Sequence, residues 1–217
     1  INAGFEQNFK ITAQQLEDAI TPKTRLLILC SPSNPTGSVY TKDELESLAE
    51  VIKSHEDLFV LADEIYEHIN YTGRHESIAQ FPGMKERSII VNGVSKAYAM
   101  TGWRIGFIAA PEWIVKGCNK LQGQYTSGPC SVSQKAAEAA YTLPQDCVEE
   151  MRKAFERRRN LIVELAKDIP GLEVNTPQGA FYLFPKCSSF YGKSDGKRTI
   201  NNSTDFAMYL LEVGHVA

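Results

Sequence analysis

The chain has 217 residues, 43% of them hydrophobic and 23% charged, with a formal net charge of −3. That is the composition of one large or two small folded domains; the acidic balance leaves no electrostatic footprint for nucleic acid or an anionic membrane surface, and the longest apolar runs, such as Leu26 to Cys30, are too short to span a bilayer. The cysteines at 30, 118, 130, 147 and 187 form no CxxC pair and no metal-ligand spacing, a pattern expected of reduced thiols in a cytoplasmic protein.

Thr21-Pro22-Lys23-Thr24 is a turn, and Arg25 to Cys30 reads as a strand buried on both faces. It enters Ser31-Pro32-Ser33-Asn34-Pro35-Thr36-Gly37, where two prolines and a glycine enforce a rigid, non-helical loop. Pro35 pushes Asn34 toward an extended backbone, which frees its amide to face a crevice. Thr41 and Glu44 have capping-box spacing. Leu45, Leu48, Ala49 and Ile52 follow at helical spacing, which predicts an amphipathic crossover helix over Thr41 to Ser54. Leu58 to Ala62 is the next strand, with Asp63, Glu64, Ile65 and Tyr66 at its carboxyl end. Strand, helix, strand, with polar groups at strand carboxyl ends, is the pattern of an open α/β sheet. On its own, Asp63 reads as a helix cap. His68 lies four residues after Glu64, the spacing of a metal pair on a helix; with no third ligand nearby it reads as a solvated helix face, and no metal site is assigned. His55, His75 and His215 are given no role.

Ser88 to Val91 is a third strand, and Arg104 to Ala110 a fourth. Too few residues separate them for a parallel crossover, so the fourth is predicted antiparallel. Between them the small residues Gly93, Ser95, Ala97, Ala99 and Gly102 let the backbone approach a bulky ligand closely. Lys96 sits there, in a crevice at a strand's carboxyl end. Partial desolvation lowers the pKa of such an amine and readies it for Schiff-base chemistry. Arg104 offers a planar fork of donors suited to a phosphate. Helices are predicted from Pro111 and over Ser131 to Leu143, with Tyr125 to Pro129 as a loop between them. After Pro144 a long amphipathic helix carries Val148, Met151, Phe155, Ile162, Leu165 and Ile169 on one face, with Arg157-Arg158-Arg159 on a solvated or salt-bridged face. Leu172 to Asn175 and Gly179 to Phe184 read as strands of a second sheet, and Ser203 caps a last helix through Leu211.

The order Gly93-x-Ser95-Lys96, small residues, then Gly102-x-Arg104-x-Gly106 resembles the cofactor-lysine signature of the class I/II aminotransferases, fold-type I enzymes that use pyridoxal 5′-phosphate (PLP). Asn34-Pro35-x-Gly37 and Asp63-x-x-Tyr66 resemble two further motifs of that family, in the same order, and Ala97 to Arg104 is similar to its bacterial aspartate/aromatic branch. The resemblance implies an α/β fold: a mostly parallel sheet with one antiparallel strand, helices on both faces, and part of a smaller α+β domain. It implies that Lys96 holds PLP and then acts as acid and base, and that Asp63 pairs with the pyridine nitrogen. Tyr66 and Asn34 would bond the phenolic oxygen O3′, and Arg104 with the Ser95 region would hold the phosphate. Gly93 departs from members that have serine three residues before the lysine, and that serine's phosphate contact is missing. Pro177 to Phe181 resembles a segment near the substrate, although a core hairpin explains it equally well.

The implied activity is amino transfer between an amino acid and a 2-oxo acid, in a homodimer. A carbon–sulfur β-lyase on the same scaffold, or the aminotransferase-like sensor domain of a transcription regulator, are the rival readings. Residues 1–143 are expected to form the cofactor-binding domain and 144–217 a linking helix with part of a second domain. The chain starts without Met and stops where a strand is expected after Gly214, so it reads as the middle of a longer protein and is expected to be inactive alone.

Overall fold

In the computed structural model, which describes residues 1–216, the centre is a four-stranded sheet. Its strands are β1 (Leu26–Cys30), β2 (Phe59–Asp63), β3 (Ser88–Gly93) and β4 (Gly106–Ala109), in spatial order β1-β2-β3-β4. β1, β2 and β3 run parallel, and β4 runs antiparallel to β3, as the short connection requires. The helices are α1 (Ala13–Ala19), α2 (Lys42–Ser54), α3 (Glu112–Tyr125), α4 (Ser131–Thr142), α5 (Asp146–Lys167) and α6 (Ser203–Glu212).

α2 forms where its cap and stripe coincide. The Thr41 side chain accepts from the Glu44 N–H at 3.3 Å, and the Glu44 carboxylate accepts from the Thr41 N–H at 2.8 Å. Leu45, Leu48, Ala49 and Ile52 then lie on one face and pack against Leu29, Val60 and Ala62 of the sheet, with Leu16 of α1, Ile78, Phe81 and Met84 closing the core. α1 escapes the sequence reading because it is short; its signal is a second capping box, Thr12 with Gln15. A smaller cluster of Val94, Ile105 and Ala137 packs α4 against the turn after β3.

Five expectations are corrected. β1 is buried on one face only: Leu29 is 6% exposed and Ile28 70%, because β1 lies at the sheet edge and, among the described residues, one face is covered. Glu64 to Ile69 is a run of turns rather than a helix, with Glu67 N–H and Ile69 N–H each donating to the carbonyl three residues back. Residues 172–184 form isolated bridges, Glu173 with Lys186 and Asn70 with Gly179, and no strands. Their backbone groups are used elsewhere: Gln178 and Gly179 N–H donate to Gly37 O at 2.8 and 2.9 Å, and Ala180 N–H to Ile69 O at 2.8 Å. α6 is capped by Asn202, whose side chain accepts from Asp205 N–H, and not by Ser203. No strand forms at His215 and Val216, and Ala217 lies outside the described residues.

Thr41→Ala should lower stability by about 1 kcal/mol through loss of the cap. Ile52→Ala, at a fully buried position, should cost ~2–5 kcal/mol through loss of contacts and the cavity left behind. Denaturant unfolding of both variants measures the two values, and equal costs would show that α2 is not held chiefly by its packed face.

Candidate active site

The parallel pairings of β1 with β2 and of β2 with β3 end level with one another, and β3 runs two residues further beside β4. Cys30 pairs with Asp63, and Asp63 with Val91. Backbone bonds continue just past the ends: Ser31 N–H donates to Asp63 O at 3.2 Å, and Glu64 N–H to Val91 O at 2.9 Å. The loop carrying Asn34, the turn carrying Tyr66 and the turn carrying Lys96 therefore leave the sheet side by side. The Lys96 turn fits because glycine lies beneath it. A Cβ on Gly93 would stand 2.8 Å from Ile105 O and 2.9 Å from Gly106 Cα.

Asn34, Tyr66 and Lys96 meet at residues from the far end of the chain. Tyr66 is buried, and its hydroxyl lies 2.6 Å from that of Tyr182, to which Asn34 Nδ2 also donates at 3.3 Å. Lys96 Nζ stands over the rings of Tyr66 and Phe181, 5.6 Å from each centroid. Phe181 extends the aromatic wall, stacking on Phe155 of α5 at 5.2 Å. Burial, followed by the bond to Tyr182, pushes the Tyr66 hydroxyl well above the usual phenol range, so it stays protonated. Burial raises the Cys30 thiol, and the nearby Asp63 charge adds to that rise.

Asp63 accepts from Ile65 N–H through Oδ1 at 3.2 Å. Ser95 and Arg104 form a second group, joined by Thr101: Thr101 Oγ1 donates to Ser95 O at 3.2 Å, and Arg104 Nη1 donates to Thr101 O at 2.9 Å. Arg104 is exposed and adopts the left-handed conformation, φ 52°.

The segment that supplies Phe181 and Tyr182 is clamped onto the Asn34 loop. Gly37 and Gly179 are obligatory there: a Cβ on Gly37 would lie 2.4 Å from Pro177 Cβ, and one on Gly179 would lie 2.5 Å from Pro32 Cβ. Tyr71 donates from its hydroxyl to Ala180 O at 2.5 Å, and Arg159 Nη1 from α5 donates to Pro177 O at 2.7 Å. Arg159 also lies over the Tyr71 ring at 4.6 Å, so this arginine of the basic run packs inward.

Residues 2–217 match the family model described as aminotransferase class I and II. The chain belongs to that family. It is 50% identical to a bifunctional aspartate aminotransferase and glutamate/aspartate-prephenate aminotransferase of Petunia hybrida, covering 98% of this chain and 46% of the relative. It is 48% identical to an aspartate aminotransferase of Rhizobium meliloti, covering 96% of this chain and 52% of the relative. Among solved structures, an aspartate aminotransferase from Rhizobium meliloti superposes with a TM-score of 0.96 at 45% identity over 100% of this chain and 55% of that one. An aromatic aminotransferase from Pyrococcus horikoshii does so with a TM-score of 0.89 at 42% identity, over 99% of this chain and 56% of that one. The chain spans about half the length of the curated relatives it matches.

Two parts of this chain escaped sequence reasoning. Tyr182 joins Asn34 to Tyr66, and its only signal was its place directly after the flagged Phe181. His75, assigned nothing, stands 2.9 Å from the buried carboxylate of Glu64, which also accepts from Ser77 Oγ at 2.6 Å. With Glu67 these groups place three donor atoms within 4.8 Å of one another, and His68, which the spacing paired with Glu64, is not among them. Glu67 itself accepts from the buried Asn92 at 2.8 Å, tying the turn after β2 to the end of β3.

Gly179→Ala should prise the 177–182 segment from the Asn34 loop, an overpacking cost against the rigid Pro32 ring, which has little room to move aside. Amide exchange at Gln178, Gly179 and Tyr71 should accelerate by ~10-fold or more. Unchanged exchange at those amides would show that the clamp does not depend on the bare glycine.

Proposed function

We propose that the whole protein is a PLP-dependent aminotransferase that moves an amino group between an amino acid and a 2-oxo acid. The observation that carries the reading is the convergence of the Lys96 amine, the Tyr66 hydroxyl and the Asn34 amide beside the strand end that bears Asp63. The donor set fits the group. It holds one amine for an aldehyde, one carboxylate for a ring nitrogen, a protonated phenol and an amide for a phenolate oxygen, and an exposed guanidinium for a phosphate.

When bound, PLP supplies the electron sink that makes an amino acid's Cα–H bond acidic. Lys96 carries the cofactor, and its freed Nζ takes the proton from the substrate Cα as a base and returns a proton as an acid. Asp63 keeps a proton on the ring nitrogen set against it, because a nearby carboxylate favours the charged form. Tyr66 and Asn34 donate to the phenolic oxygen. Arg104 and the Ser95 turn hold the phosphate, with the backbone brought close by Gly93 and Gly106. A homodimer in the cytoplasm is part of the proposal, and the free cysteines support that location. So is a division into a cofactor domain, 1–143, and a second unit, 144–217, supported by the start of α5 at Asp146.

Borohydride reduction of the full-length protein loaded with PLP should fix a pyridoxyl group on Lys96; peptide mapping that places it on Lys116 or Lys120 would overturn the assignment. Asp63→Asn should slow exchange of the substrate's Cα proton by ~100-fold or more, with an unfolding midpoint close to that of the parent. A near-parental exchange rate would remove Asp63 from the mechanism.

A further inference from the structure

Tyr182 has no place in the function just proposed, yet its hydroxyl touches two of the residues that function uses. It lies 2.6 Å from the Tyr66 hydroxyl and accepts from Asn34 Nδ2 at 3.3 Å. Its ring is fixed independently of that hydroxyl, with centroids 4.8 Å from Phe181 and 5.8 Å from Tyr66. Its backbone is fixed again by the Gly37 carbonyl, by Ile69 and by the Tyr71 hydroxyl, which hold residues 178–180.

Donors and acceptors can be counted. A primary amide has two N–H donors; a phenol has one O–H donor and two lone pairs. Asn34 spends one N–H on Tyr182 and keeps one. Once an anionic oxygen lies against Tyr66, the Tyr66 proton goes to that oxygen, the stronger acceptor. The Tyr66 oxygen then takes the Tyr182 proton, and the Tyr182 oxygen holds the Asn34 N–H. Every donor is used once, and two protons, one from Asn34 and one from Tyr66, are left for a single acceptor. Such a chain strengthens each of its members in a low-dielectric site.

We infer that Tyr182 is a positioning residue of the cofactor site, whose hydroxyl bridges Asn34 to Tyr66 and turns the remaining proton of each toward one phenolate oxygen. The inference rests on the proposed function, and the bridge itself is a property of these three residues. Tyr66 remains a donor across the working range because its own proton is held tightly. Two aligned donors draw charge from the phenolate oxygen, which weakens that oxygen's hold on the proton shared with the lysine-linked nitrogen beside it. Removing the bridge loosens both donors, so that proton is held more firmly and titrates at higher pH.

The test uses the full-length protein loaded with PLP and follows its visible absorbance against pH. Tyr182→Phe keeps the ring and removes only the hydroxyl. Its titration midpoint should rise by ~0.5 unit, the effect of about one hydrogen bond, and Tyr66→Phe should raise it further. Tyr71→Phe is the control for segment placement: it removes the bond to Ala180 O and leaves the Tyr66–Tyr182–Asn34 chain intact, so its midpoint should stay at the parental value. A shift in Tyr66→Phe with none in Tyr182→Phe overturns the bridge and leaves the proposed function standing. Equal shifts in Tyr71→Phe and Tyr182→Phe overturn it too, because packing of the segment would then account for both. A parent protein with no visible band overturns the proposed function and this inference together.

Discussion

Two parallel ladders stop at the same level, with Cys30, Asp63 and Val91 side by side. That register places each candidate functional group. Side chains alternate along a strand, so a slip of one residue in β2 would turn Asp63 to the opposite face of the sheet. The slip is opposed by the core: Val60 and Ala62 lie buried against α2, and shifting them would expose both while burying Leu61 and Asp63 in their place. The apolar contacts under the sheet thus fix a polar arrangement at its edge, and Asn92 with Glu67 stitches two of the strand ends together from above.

The groups that were legible in the sequence obey local rules. The prolines around Asn34 and the glycines around Lys96 announce where the backbone must turn, and strand runs ending in Cys30, Ala62 and Val91 place those turns at one edge. α2 announces itself through cap and stripe together. The antiparallel β4 follows from the length of its connection. Other features obey no local rule. Tyr182 reaches Tyr66 across 116 residues and Asn34 across 148, and no periodicity encodes such a pairing. A run such as Leu-Leu-Ile-Leu has the same pattern whether one face or both are covered, so the exposure of Ile28 depends on what lies beside β1. Residues 172–184 carry the composition of strands but spend their hydrogen bonds on the Gly37 carbonyl, Ile69 and Tyr71, an outcome decided by tertiary contact.

The clamp between Gly37 and residues 177–179 rests on backbone hydrogen bonds, and two glycines make room for it, Gly37 against Pro177 and Gly179 against the Pro32 ring. One carbonyl, Gly37 O, accepts two successive N–H groups. Side chains from three directions then secure the segment: Tyr71 from the turn after β2, Arg159 from α5 and Tyr66 from beneath. The aromatic wall facing Lys96 is therefore carried on a strap whose position is set mainly by its backbone, and side chains can vary on it without moving the strap.

That strap also sets an order in time. Closing a loop of more than a hundred residues adds only slowly to the entropy cost, but contacts this distant in sequence form late. During synthesis, the sheet, α2 and the Lys96 turn are all complete in sequence before residues 177–182 leave the ribosome. The stretches that carry the Lys96 amine, the Asn34 amide and the Tyr66 phenol have all been made at that stage, without the hydroxyl that joins two of them. Competence of the site is thus acquired only after residues 177–182 have emerged, when the strap arrives and docks on an edge already built.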